Sequence, residues 1–109
     1  MVTGGYVLKR VLALLALVSF CALAQQTVEV TIREYRFSPQ EVRIKAGDTV
    51  KWVNREKRTS HSVLFAAENG LESERMFPDE SWQRKFTQPG SYSYRCGPHE
   101  EMKGLIVVE

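Results

Sequence analysis

The sequence predicts an all-β fold, either a sandwich or a barrel, built from about seven or eight short strands. After Gln25, apolar and polar residues alternate with a period of two, and no segment of helix length shows a period of 3.6 residues. Pairs of turn-forming residues separate the alternating segments. A chain of 109 residues, of which 43% are hydrophobic, suits one small domain.

Residues 1–24 have the pattern of a secretory signal peptide, which leaves residues 25–109 as a single domain. Lys9 and Arg10 end a positively charged segment, and the apolar segment 11–24 that follows ends in a small-x-small cleavage pattern. This apolar segment is shorter than the roughly 20 residues that a membrane span needs. We therefore expect export to an oxidising compartment, and no stable membrane insertion after cleavage near residue 24.

Cleavage after Ala24 changes both the cysteine count and the charge. It removes Cys21 and leaves Cys96 as the only cysteine, so an intramolecular disulfide is impossible. It also removes Lys9 and Arg10, which lowers the Lys and Arg count from 15 to 13, against 13 Asp and Glu residues. A formal net charge of zero argues against a nucleic-acid partner, because phosphate binding depends on clustered positive charge.

The first half of the domain is predicted to contain three or four strands. Alternation from Val28 to Ile32 predicts the first strand, and a slip of the apolar phase before Tyr35 predicts a bulge or bend near 33–34. Ser38-Pro39 interrupts the pattern, because proline cannot donate to a sheet ladder.

Alternation then resumes in segments 42–46 and 50–53, on either side of Gly47-Asp48. This pair has the composition of a two-residue hairpin turn. We therefore expect the two segments to form a hairpin.

The second half is predicted to contain four more strands, with loops between them. Segment 66–74 has the composition of a loop around Asn69-Gly70, and Pro89-Gly90 fits the centre of a type II turn. The basic segment 55–58 and the acidic residues from 68 to 80 are expected to be solvated, or to orient the protein on a partner. The predicted strands are 63–65, 82–87, 92–96 and 105–108.

Cys96, His99 and Met102 form a C-x2-H-x2-M pattern between the last two predicted strands. The only other histidine, His61, precedes the strand at 63–65, and the end of a strand in a sandwich can face such a loop. Soft sulfur stabilises Cu(I), imidazole binds both copper states, and a weak thioether ligand tunes the potential. The four residues together therefore predict a mononuclear copper site.

Each of these residues has an ordinary structural interpretation when it is taken alone. Cys96 could be a buried thiol, Met102 a core residue and His99 a surface residue. Their joint spacing favours a metal site. Zinc is the chief competitor, although structural zinc sites rarely use methionine and would be expected to use a second thiolate. A catalytic copper centre would need further histidines, so we expect no enzymatic activity.

The domain resembles the cupredoxins, which are small blue copper proteins, and its short ligand loop is most similar to that of the amicyanin type, with pseudoazurin and plastocyanin as relatives. The matching segments, in family order, are Tyr35-Arg36-Phe37-Ser38-Pro39, 42–54, His61-Ser62-Val63 and 89–104.

The resemblance implies a Greek-key β-sandwich that holds one copper ion through His61, Cys96 and His99, with Met102 as a long axial ligand. It also implies a monomeric periplasmic carrier of single electrons between redox proteins such as a dehydrogenase, a cytochrome c or a copper enzyme. Two alternatives are a copper delivery or storage protein and a structural zinc domain.

Two positions depart from the family pattern. Many members have Asn immediately after the first histidine ligand, where its side chain ties the two ligand loops together; here Ser62, a shorter donor, predicts a weaker tether. Glu100 and Glu101 occupy positions that are often apolar or proline in relatives. These carboxylates either form an acidic surface that selects a basic partner or simply face solvent.

Overall fold

The computed structural model describes residues 24–109, which form two β-sheets. The signal-peptide prediction and Cys21 lie outside the described residues. The strands are β1 (Thr27–Arg33), β2 (Arg36–Ser38), β3 (Glu41–Ile44), β4 (Thr49–Asn54), β5 (Leu64–Phe65), β6 (Leu71–Glu72), β7 (Ser81–Lys85), β8 (Gly90–Arg95) and β9 (Lys103–Val108). One sheet has the order β2-β1-β4-β7 and the other β3-β9-β8-β5-β6. Among residues 24–109, no helix is long and apolar enough to span a membrane.

The hydrophobic core lies between the two sheets, and the predicted β-sandwich is confirmed. Val30 and Ile32 of β1 are fully buried, as the period of two requires. Trp52 of β4 lies at the centre, where its ring packs edge to face with Phe65 and Tyr94 of the opposite sheet, at centroid distances of 6.2 and 5.3 Å. These contacts join the sheets into one unit.

The predicted hairpin at Gly47-Asp48 is wrong, because β3 and β4 lie in different sheets. β3 pairs in parallel with β9, and β4 pairs in parallel with β1. The Asp48 carboxylate accepts the backbone N–H groups of Gln26 and Lys45, at 2.9 and 3.0 Å. These backbone hydrogen bonds lower the pKa of Asp48 and fix a crossover between the sheets.

The predicted bulge or bend near residues 33–34 is a two-residue turn between β1 and β2. β1 and β2 pair antiparallel, and the pair Arg33 and Arg36 closes a two-residue connection. Glu34 and Tyr35 adopt left-handed conformations, with φ of 54° and 57°, as in a type I′ turn. Type I′ turns usually contain Gly or Asn. Glu34 and Tyr35 are neither, so the composition of this segment did not indicate a hairpin.

A second hairpin lies in the segment that was predicted to be a loop. Leu64 and Phe65 of β5 pair with β6, and Asn69 and Gly70 between them have positive φ values of 56° and 72°. β6 accounts for the ninth strand. Its position matters for the site, because Glu72 reaches the loop that follows β8.

The predicted strand at 82–87 is confirmed as β7, and Arg84 within it is not simply solvated. Its guanidinium lies 4.5 Å from the ring centroids of both Phe65 and Phe86. Two nitrogens of this guanidinium bind the Glu68 carboxylate at 2.7 Å each. A planar cation over aromatic faces, held by a bidentate carboxylate, stabilises this part of the sandwich.

Tyr94 carries a buried hydroxyl in the core. Neither this hydroxyl nor Nε1 of Trp52 has a hydrogen-bond partner with normal geometry. Burial raises the pKa of Tyr94 to about 12, because the phenolate is poorly solvated there.

We expect Tyr94 to make the domain lose stability at alkaline pH. Above pH 10.0, the ordinary pKa of tyrosine, the unfolded chain loses the phenol proton, whereas the folded protein keeps it up to about pH 12. The free energy of unfolding therefore falls across this interval, and Tyr94→Phe should reduce that fall. Denaturant unfolding at pH steps across the interval measures this effect, and an identical slope in the variant would contradict it.

Candidate metal centre

Three donor atoms from His61, Cys96 and His99 converge at one end of the sandwich. Sγ of Cys96 lies 3.5 Å from Nδ1 of His61 and 3.5 Å from Nδ1 of His99, and the two Nδ1 atoms are 3.2 Å apart. A point equidistant from the three atoms lies about 2 Å from each, close to the length of metal bonds to nitrogen and sulfur. The trio therefore has the dimensions of a site for one metal ion.

The backbone of His61 is held by a two-residue bridge. Its N–H donates to the carbonyl of Met76 at 3.0 Å, and its carbonyl accepts the N–H of Met76 at 2.8 Å. The buried side chain of Asn54 shapes the loop before it, because Nδ2 donates to the carbonyls of Thr59 and Met76 at 2.8 and 2.9 Å. Asn54 thus fixes where His61 enters the site.

The imidazole of His61 is oriented by Glu56. Oε2 of Glu56 lies 2.8 Å from Nε2 of His61, whose side chain is fully buried. Burial alone would raise the pKa of Glu56, but the hydrogen bonds from His61 and from two backbone N–H groups lower it overall. The ionised carboxylate only accepts, so Nε2 carries the proton and Nδ1 keeps its lone pair for the site. Burial also lowers the pKa of His61, which favours the neutral ring.

Glu56 also anchors the β1–β2 turn beside the site. Its two carboxylate oxygens accept the backbone N–H groups of Glu34 and Tyr35, at 2.9 and 3.1 Å. The ring of Tyr35 then packs edge to face against His61 and His99, with centroids 5.4 and 4.9 Å away. Segment 55–58 is therefore not merely a solvated basic run, since Glu56 supports the first histidine.

The loop from Cys96 to Met102 folds back on itself. The N–H of Cys96 donates to the carbonyl of Met102 at 2.9 Å, and the N–H of Met102 donates to the carbonyl of His99 at 3.1 Å. The guanidinium of Arg95 donates to the carbonyls of Cys96 and Gly97, at 2.9 and 3.0 Å. Cys96 and Met102 are buried in this arrangement, whereas His99 is half-buried.

Ser62 links the two ligand-bearing segments. Its N–H donates to Sγ of Cys96 at 3.5 Å, and its hydroxyl accepts the N–H of Gly97 at 3.0 Å. The same hydroxyl donates to Oε2 of Glu72 at 2.7 Å. The loops are thus tied together in spite of the shorter side chain.

The donor set is suited to a copper ion. Two imidazole nitrogens and one thiol sulfur point at a common centre, and the nitrogen of His61 has its lone pair directed there. Such a cluster is stabilised by a cation that accepts these lone pairs. Two histidines and a cysteine in a trigonal arrangement, with a methionine on the same loop, match the preferences of copper.

The structure brings together the three residues that the sequence singled out as strong donors, and it places Met102 in the same closed loop. Sequence reasoning missed three supporting residues, Asn54, Glu56 and Glu72. Asn54 could have been found, because an asparagine at the buried end of a central strand needs hydrogen-bond partners for its amide. The two glutamates had no such signal, since each stands among other charged residues.

Comparisons with known proteins agree with this geometry. A family model described as copper binding proteins of the plastocyanin/azurin family matches residues 24–109. Amicyanin-alpha of Methylorubrum extorquens is 41% identical over 87 residues, which cover 76% of this chain and 72% of that protein. Amicyanin of Paracoccus denitrificans is 36% identical over 91 residues, covering 80% and 69%. Plastocyanin of Scenedesmus fuscus is 38% identical over 85 residues, covering 67% and 86%.

Solved structures show the same similarity. The oxidized form of an amicyanin variant superposes with a TM-score of 0.72 at 36% identity, covering 75% of this chain and 81% of that one. The Cu(I) form of another amicyanin variant gives a TM-score of 0.72 at 34% identity, covering 76% and 82%. The family match spans every described residue and includes all of the converging donors. The chain therefore belongs to the plastocyanin/azurin family of copper-binding proteins, the cupredoxins.

Proposed function

We propose that this protein is a periplasmic one-electron carrier whose copper ion alternates between Cu(I) and Cu(II). The proposed ligands are His61, Cys96 and His99, with Met102 as the axial ligand. The observation that carries the proposal is the convergence of three donor atoms within 3.5 Å of one another. Its similarity to amicyanins and plastocyanins supports the same function.

The bound copper supplies the one-electron chemistry, and the protein supplies a site of nearly constant shape. His61 is held by Met76 and Glu56, and Cys96 is held by Met102 and Ser62. Donors fixed in this way move little when the charge of the site changes. Because little rearrangement accompanies each transfer, the barrier to electron transfer is low.

The environment of Cys96 sets the potential of the site. The backbone N–H of Ser62 points at Sγ from 3.5 Å, and the sulfur is fully buried. A hydrogen bond to the thiolate withdraws electron density from it and so favours the reduced state of the site. Exclusion of water also favours the state of lower charge.

Electrons are proposed to enter and leave through the edge of His99. This ring is half-buried, whereas His61 and Cys96 are fully buried. Glu100 and Glu101 beside it are exposed, so a basic face on a partner is the proposed complement. Suitable partners are a dehydrogenase, a cytochrome c or a copper enzyme that meets the monomeric carrier transiently.

Burial of the ligands favours a carrier over a delivery or storage protein. Transfer of copper to another protein requires that its ligands reach the metal, and the side chains of His61 and Cys96 are inaccessible. A structural zinc site would be expected to use a second thiolate, and Cys96 is the only cysteine of residues 24–109. Export rests on the predicted signal peptide in residues 1–24.

The copper-loaded protein is expected to be blue. Addition of Cu(II) to the copper-free protein should produce an intense blue absorption, because the Cys96 thiolate transfers charge to copper. Cys96→Ser should abolish the colour, and Met102→Leu should keep it while raising the reduction potential. Visible spectroscopy and redox titration measure these effects. A colourless Cu(II) complex would rule out the carrier, and an unchanged potential would exclude Met102 as the axial ligand.

Glu56 is expected to support copper binding through its contact with His61. Glu56→Ala should weaken copper binding by roughly 10- to 100-fold, because the imidazole loses the partner that fixes its tautomer and orientation. Glu56→Gln should have a smaller effect, since its amide oxygen can still accept from Nε2. Competition with a chelator measures the affinity.

The matched control is Glu34→Gln, which removes an exposed carboxylate from the adjoining turn and keeps the backbone N–H that binds Glu56. It should bind copper as the parent protein does. Equal affinities for the parent and Glu56→Ala would refute the orienting role.

A further inference from the structure

We propose that Glu72 is a positioning residue for the metal centre, because it directs the hydroxyl of Ser62 so that this short side chain can hold the two ligand loops together. Ser62, Glu72 and Gly97 then act as one hydrogen-bonded unit beside Cys96, which we call the loop clasp. The inference rests on the proposed copper site, but the clasp itself is a property of the polypeptide.

The direction of the hydrogen bonds assigns the positioning role to Glu72. A serine hydroxyl has one proton, and a carboxylate can only accept, so the 2.7 Å contact between Oγ of Ser62 and Oε2 of Glu72 uses that proton. The lone pairs of Oγ are then free to accept the N–H of Gly97 at 3.0 Å. Because its proton is used by Glu72, the hydroxyl of Ser62 acts as the acceptor for the N–H of Gly97.

The charge of Glu72 also strengthens the hydrogen bond from the N–H of Gly97 to Oγ of Ser62. Hydrogen bonds to an ionised group are stronger than neutral ones, and a polarised hydroxyl becomes a better acceptor. Without the carboxylate, the hydroxyl of Ser62 could rotate to other partners.

The packing at Gly97 is independent evidence that Glu72 is seated on the loop. A Cβ atom added at Gly97 would lie 2.1 Å from Oε2 of Glu72 and 2.6 Å from Oγ of Ser62. Real Cβ atoms do not approach other atoms so closely, so a side chain at Gly97 would displace the carboxylate of Glu72 and the hydroxyl of Ser62. Glycine at this position therefore lets both groups approach the loop.

The clasp acts on both ligands because of where its members stand in the chain. Ser62 directly follows His61, and Gly97 directly follows Cys96. The N–H of Ser62 also donates to Sγ of Cys96, and Arg95 donates to the carbonyl of Gly97 at 3.0 Å. A shift of Ser62 relative to Gly97 would therefore change the distance between the two donor atoms.

The test uses amide hydrogen exchange in the copper-free protein, so that it does not depend on the metal. Glu72→Ala should increase the exchange rate of the Gly97 N–H by about tenfold, which is the size expected for one weakened hydrogen bond. Glu72→Gln should give an intermediate rate, because its amide oxygen still accepts from Ser62. Amides in β4 should exchange as in the parent, which shows that the fold is intact.

The matched control is Glu74→Ala, which removes another exposed carboxylate two residues away on the same segment. It should leave the Gly97 rate unchanged. A Gly97 rate that is equal in the parent and in Glu72→Ala would overturn the clasp.

The copper-loaded variants give a second readout. Glu72→Ala should give a lower reduction potential than Glu72→Gln, because both variants remove the same negative charge but only Ala releases Ser62, whose N–H bond to Sγ of Cys96 favours the reduced state. Equal potentials in these two variants would contradict an effect on the metal centre. If the Gly97 rate responds but the parent protein is never blue, the clasp stands and the carrier function fails. If the parent is blue and the Gly97 rate is insensitive to Glu72, the clasp fails and the carrier function stands.

Discussion

The close approach of three electron-rich donor atoms is the constraint on which this structure depends. Sγ of Cys96 and the Nδ1 atoms of His61 and His99 lie 3.2–3.5 Å apart at the end of the sandwich. Lone pairs that point at one centre repel each other unless a proton or a metal ion lies among them. The surrounding hydrogen bonds therefore hold the donors in an arrangement that a bound metal stabilises, which couples metal binding to the stability of a small domain.

Segments from different parts of the chain hold the ligands from different directions. His61 is tied by its backbone to Met76, and its ring is tied to Glu56. Cys96 directly follows β8, and its loop closes through Met102. Because His61 is held by Glu56 and Met76, and Cys96 accepts a hydrogen bond from Ser62, the geometry of the site does not depend on the C-x2-H-x2-M pattern alone.

Charged residues between β4 and β7 have specific structural roles in this protein. Glu56 orients a ligand, Glu72 binds Ser62, and Glu68 binds Arg84 over the aromatic rings. From the sequence, these residues belong to acidic and basic runs of the kind that usually face solvent. Their roles could not be predicted, because a glutamate in a run of charges has the same local pattern whether it is solvated or bonded.

The sequence by itself determined the strand periodicity, the identity and spacing of the donors, and the type of metal they suit, because these depend on local alternation and side-chain chemistry. Tertiary structure alone decided that Gly47-Asp48 crosses between sheets and that β1 and β2 form a hairpin at Glu34-Tyr35. It also decided that Glu72 meets Gly97, 25 residues later in the chain. Such contacts join residues that are distant in sequence, and only the packing of the two sheets brings them together.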